Sequence, residues 1–248
     1  MQSLYPTHII HPPPIVSMLK TLTFGIEELG QLFGGLELGD LAVLHGSRMC
    51  HLLSELLCGR SQLPHAEGGL DSTVVFIDGG NIFDPYYISE TALQYGLKPE
   101  EVLSKIWISR AFTAYQLTAL ITEELTKILD REDSRLVIVS DIPALYCDPD
   151  IGLYEAKNTF NRITRFLSNL AWQKSVLVVT TSLSSRSERK RRLEQYLFAR
   201  ASLVAGVEGG NPHATITLQK HPTRPSDFTE FCLGAPTTQS LLADFAEV

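Results

Sequence analysis

Five short apolar runs alternating with helical patterns constrain this 248-residue chain more than any other feature. They are LAVL at 41–44, VVFI at 74–77, IWI at 106–108, LVIV at 136–139 and VLVV at 176–179. Runs of this length, several rich in β-branched residues, predict strands covered on both faces, as in a parallel sheet. Between them apolar residues recur at helical spacing. Leu117, Leu120, Ile121, Leu125 and Ile128 share one face, and Phe160, Ile163, Leu167 and Leu170 share another. Parallel strands joined by helices require right-handed crossovers, so the pattern predicts a three-layer α/β domain with a mostly parallel twisted sheet. The tail differs: 203–207, 214–218 and 228–233 read as strands separated by the turn-rich EGGNPH and KHPTRPSD. They predict an antiparallel meander continuing the same sheet.

Hydrophobic residues at 44 % and charged residues at 20 % give an ordinary globular balance, with one core domain over 21–248. Residues 1–20 read as an extended leader, because Pro12, Pro13 and Pro14 hold a polyproline-like stretch. That leader lacks a basic region followed by an apolar core, so no secretory signal is expected and the cytoplasm is the default compartment. No apolar run approaches the ~18 residues that cross a bilayer, which predicts no membrane partner. Cys50, Cys58, Cys147 and Cys232 form no CxxC pair, and His45, Cys50, His51 and Cys58 do not have zinc-site spacing, so no metal is expected. A net charge of −7 leaves any contact with DNA to a local basic patch.

The order of these segments resembles the RecA/RadA recombinase core. TFGIEELGQLFGGLELGDLAVLHG at 23–46 is similar to the family's opening, where a helix and a Gly-Gly turn lead into the first strand. STVVFIDGGNIFDPYYISETALQYGLKPEEVLSKIWISRAF at 72–112 is similar to the next two strands and their crossover. RLVIVSDIPALY at 135–146, VLVVTTSL at 176–183 and ATITLQKHPTRP at 214–225 continue the series. The resemblance spans roughly residues 21–233 and implies a RecA-like P-loop NTPase fold closed by a C-terminal antiparallel hairpin.

It also implies what has been lost. The family's phosphate loop, G-x-x-x-x-G-K-[ST], wraps phosphates in backbone N–H groups, neutralises them with Lys and ligates Mg²⁺ through Ser/Thr. Here LAVLHG runs straight into SRMCHLLSELL, with Gly46 and Ser47 at the ends of the motif and the lysine missing. Gly80 falls where relatives carry the glutamate that polarises the attacking water, with Asp78 nearby as a strand-end turn residue. Ser140 falls where they carry the magnesium-linked aspartate, and Asp141, one residue later, belongs on the opposite face unless a bulge intervenes. Ser182 matches the γ-phosphate sensor. The expectation is a chain that does not hydrolyse ATP and holds no cofactor. Ser47 as N-cap, with Arg48 and His45 beside it, leaves a helix N-terminus where an anion has a place to dock.

Ser184–Arg192 reads SSRSERKRR, with Arg186, Arg189, Lys190, Arg191 and Arg192 in seven residues. It follows the sensor strand, where the resemblance implies a loop that contacts single-stranded DNA, and phosphate contacts suit such charge. The alternative is a solvated helix start, with a capping box at Ser185–Glu188 and an apolar face of Leu193, Tyr196 and Leu197. CDPDIGLYEAKN at 147–158, the other implied DNA segment, carries Asp148, Asp150 and Glu155 and no arginine. The resulting expectation is an ATPase-deficient relative that assists recombination or repair through DNA, single- or double-stranded, or through a RecA/RadA-type recombinase or a second copy of itself. A nucleotide-responsive switch with a reshaped loop, and a signalling scaffold unrelated to DNA, stand as alternatives.

Overall fold

The computed structural model describes residues 21–233, so the leader and the short helix expected in LLADFAEV at 241–248 lie outside the described residues. Eight strands form one sheet: β1 (Leu41–Gly46), β2 (Val74–Asp78), β3 (Ile106–Arg110), β4 (Leu136–Ser140), β5 (Leu177–Leu183), β6 (Leu203–Gly209), β7 (His213–Lys220) and β8 (Asp227–Cys232). Their spatial order is β8-β7-β6-β1-β5-β4-β2-β3. The first six strands run parallel, and β7 and β8 fold back antiparallel. The expected meander is therefore β6-β7-β8, and its first strand joins the parallel sheet beside β1.

Alternation along each strand divides the core into two layers. Ala42, Leu44, Val74, Phe76, Ile138 and Val179 face α1 (Glu27–Phe33), α2 (Met49–Arg60), α3 (Pro85–Gln94) and α4 (Pro99–Ser104). Leu41, Val43, Val75, Ile77, Val139 and Val178 face the other layer. That layer holds α5 (Ala114–Ala119), α6 (Leu125–Glu132), α7 (Leu153–Lys174) and α8 (Glu188–Arg200). The helical stripe at 117–128 continues from α5 into α6 through a widened π-type turn at Leu120–Glu124, which keeps Leu117, Ile121 and Leu125 buried.

One expectation fails here. The run at 106–108 does not form a strand covered on both faces: β3 is the sheet's edge, and Trp107 and Ile108 are 42 % and 45 % exposed. A three-residue apolar run reads the same at an edge as at the centre, because periodicity carries no information about neighbours.

Candidate functional site

The strands β1, β2, β4 and β5 end together, and a ligand of an open α/β sheet binds outside such carboxyl ends. Gly46 closes β1 with φ +126°, a backbone region that side chains rarely adopt. A Cβ there would lie 2.1 Å from the Val207 carbonyl oxygen of β6. The next residue is strapped to the same atom, since the Ser47 amide donates to Val207 O at 2.8 Å. The Ser184 amide holds Gly46 O from the other side at 2.7 Å. Strand β1 therefore passes into α2 through Ser47 and Arg48 alone.

The helix start differs from expectation. The N-cap is Arg48, in helical conformation, and Ser47 sits one position earlier. Ser47 Oγ accepts the Met49 amide at 3.3 Å, Ser47 O accepts the Cys50 amide and Arg48 O accepts the His51 amide. Three first-turn donors that an anion would need are thus satisfied internally. Met49 is buried, Arg48 is exposed, and His45 hydrogen-bonds Gln219 and stacks on Phe198 instead of facing the helix start.

Asp78 is fully buried at the end of β2. Its carboxylate accepts from the Ile82 and Phe83 amides, from Ser140 Oγ at 2.8 Å, and from Arg110 Nε and Nη2 at 3.1 and 3.0 Å. This is the strand-end turn residue expected from the sequence, and none of these partners presents it to a nucleotide. Gly80 donates its amide to Ser140 Oγ at 2.9 Å, and a Cβ on Gly80 would meet Asp141 Cβ at 3.0 Å. The position of the water-polarising glutamate is thus packed against neighbours.

Asp141 leaves β4 with φ +38°, so strand alternation no longer fixes its direction. Its amide donates to Thr181 Oγ1, and its carboxylate accepts from the Leu183 amide at 3.1 Å and from Lys190 Nζ at 2.7 Å. Both partners of that ion pair are buried. Lys190 is thereby removed from the expected basic surface and neutralises an aspartate inside the fold. Ser182, at the sensor position, donates its hydroxyl to Glu194 at 2.6 Å.

The rest of the basic run is divided as well. The cap of α8 is Ser187, whose Oγ accepts the Lys190 amide; the expected capping box beginning at Ser185 does not form. Arg192 pairs with Glu188 at 2.6 Å, and Arg189 is half-buried. Only Arg186 and Arg191 of the five are exposed without an ion pair among the described residues. The five cations do not share one surface because a helix turns successive residues by about 100°, sending Lys190 inward while Arg191 faces out.

Two buried titratable groups lie on α2, of which the sequence reading weighed His51 only as a zinc ligand and passed over Glu55. His51 is buried, its Nε2 has no partner among the described residues, and desolvation lowers its pKa. Glu55 is buried beside the Asp84 amide, which donates to it at 2.6 Å, and desolvation, with smaller contributions from Asp84 and Asp78, raises its carboxyl to about 8. Both sit among apolar neighbours on α2, where nothing in the pattern marks them as polar. Because Glu55 is raised above its unfolded value, its stabilisation is complete below about pH 4.5 and is lost as pH rises through about 8. Thermal melts should therefore show the melting temperature falling between pH 5 and pH 8.5, and Glu55→Gln should flatten that fall. Parallel slopes for the two proteins would refute the assignment.

Among the described residues no helix is long and apolar enough to cross a membrane. Comparison with known proteins was made against this geometry. The family model described as Rad51 matches residues 16–191. The chain is 32 % identical over 177 residues to the DNA repair protein rhp51 of Schizosaccharomyces pombe, covering 67 % of this chain and 47 % of that protein. It is 32 % identical over 171 residues to the DNA repair protein Rad51 homolog of Drosophila melanogaster, covering 65 % and 49 %. With the DNA repair protein RAD51 homolog B of Zea mays it shares 29 % over 156 residues, covering 60 % and 44 %. The chain thus spans about half the length of the curated relatives it matches. Parallel sheet, closing hairpin and a match across most of the sequence agree, and the chain belongs to the Rad51 family of RecA/RadA-type proteins.

Proposed function

We propose that this chain serves DNA recombination or repair as an accessory factor that has given up ATP hydrolysis and works by binding an active recombinase. The observation that carries this reading is the junction at Gly46–Ser47, strapped to Val207 where relatives wrap a phosphate. Asp141, already paired with Lys190, and Ser140, bonded to Asp78, support it by leaving no free carboxylate for magnesium at those two positions.

Partner binding is favoured over DNA binding by the distribution of exposed groups. β3 is a sheet edge with Trp107 and Ile108 half-exposed, and Phe112 and Tyr115 follow at 68 % and 62 % exposure. An edge strand with apolar side chains can accept an extended segment from another chain through its unpaired backbone groups. The basic run, by contrast, offers two exposed unpaired cations.

Calorimetric titration with Mg-ATP should give no heat of binding, with no phosphate release on incubation. Micromolar affinity or measurable turnover would overturn the central negative claim in favour of a nucleotide-responsive switch. Pull-down with the host's recombinase should succeed, and Ile108→Asp should abolish it. Anisotropy with labelled single- and double-stranded DNA at several salt concentrations tests the other route. Tight, salt-sensitive binding lost on Arg186→Ala plus Arg191→Ala would assign the function to DNA.

A further inference from the structure

The first turn of α7 and the first turns of α8 enclose a cleft of ≈ 480 Å³, within the range of about 300–1,000 Å³ typical of ligand pockets. Its apolar walls are Leu153, Tyr154, Leu193 and Tyr196, of which Leu153 and Tyr154 are 68 % and 79 % exposed. Its cations are Lys157, Arg189 and Arg192, of which Arg192 is already paired with Glu188. The Arg189 Nε and Nη2 atoms are buried and have no hydrogen-bond partner among the described residues. Leaving guanidinium donors dry and unsatisfied is costly, so a residue so placed points to an acceptor supplied from outside. Lys157 lies over the Tyr196 ring at 5.6 Å from its centroid, which holds a second positive charge against the apolar wall.

The complement of this surface is a carboxylate flanked by bulky apolar groups. A nucleic-acid strand is the poorer fit. It carries a phosphate at every nucleotide and would have to pass the exposed acids Asp148, Asp150, Glu155 and Glu188 on the same two helix starts, within a chain of net charge −7. A peptide brings one or two carboxylates and fills the apolar walls. We propose that the α7–α8 cleft docks an acidic peptide segment of a partner protein, with a carboxylate against Arg189 and Lys157 and bulky apolar side chains against Leu153 and Tyr154. The proposal is independent of whether β3 binds a recombinase, because the two surfaces share no residue.

The test is fluorescence anisotropy on the full chain with a fluorescein-labelled synthetic peptide carrying two aspartates among leucines and phenylalanines. A twin peptide has asparagines in their place, and a short oligothymidylate serves as the third probe. The acidic peptide should bind in the micromolar range. The asparagine twin and the Arg189→Gln variant should each weaken it by about tenfold or more. Tyr154→Ala alters an exposed side chain outside the core, so it tests the apolar wall without endangering the fold, and it should weaken binding severalfold. No peptide binding, equal binding of both peptides, or unchanged affinity in Tyr154→Ala would overturn the proposal. Tighter binding of oligothymidylate with the same dependence on Arg189 and Tyr154 would replace it with a nucleic-acid site.

Discussion

Replacing Gly46 with alanine should destabilise the fold by at least about 3 kcal/mol, the sum of a strained backbone and a forced overlap. At φ +126° an alanine is strained whatever the space around it, and its Cβ would stand 2.1 Å from Val207 O, a backbone atom that cannot rotate away. The strap from Ser47 to Val207 would have to lengthen as β1 and β6 separate. For a domain of this size the loss corresponds to a fall of roughly 6–12 °C in melting temperature. A melt within about 2 °C of the parent would show that the junction is loose and that a wider loop can form there. Gly46 thus holds a close approach between two strands.

Lys190→Met should cost about 3–5 kcal/mol, because it leaves the Asp141 carboxylate buried with no countercharge. The companion double variant, Lys190→Met with Asp141→Asn, removes both charges and should recover most of that loss. An asparagine keeps an oxygen for the Leu183 amide, which donates to Asp141 at 3.1 Å in the native chain. Thermal or denaturant melts of the two single variants and the double variant give the coupling directly. Additive losses would mean the pair is not coupled and that Lys190 is free to face solvent as part of a basic surface. A large positive recovery would place the lysine of this site on α8, held against the aspartate that follows β4, as an internal ion pair.

Most of the scaffold was legible in the sequence because it depends on local periodicity. Every apolar run became a strand, and the EGGNPH and KHPTRPSD segments became the turns of the β6-β7-β8 meander. The missing lysine and the short connection after Gly46 were visible in the sequence without coordinates. The direction of Lys190 was not. Five cations in seven residues read as one basic stretch, and only the packing of α8 on α7 and β1 decides which of them turns inward. Ser187 displaced Ser185 as the cap for a similar reason: the S-x-x-E pattern was present, but the helix begins two residues later, where Ser187 Oγ meets the Lys190 amide.

By itself the sequence determined the layer architecture, because hydrophobic period is a property of the chain in one dimension. Only the tertiary structure decided what surrounds the Gly46–Ser47 junction and the end of β4. Val207, Asp141 and Lys190 come from β6, the end of β4 and α8, and their meeting with Gly46 and Ser140 depends on strand order and on a left-handed turn at Asp141. Contacts between residues so far apart follow from how the sheet is wound, which no local pattern encodes.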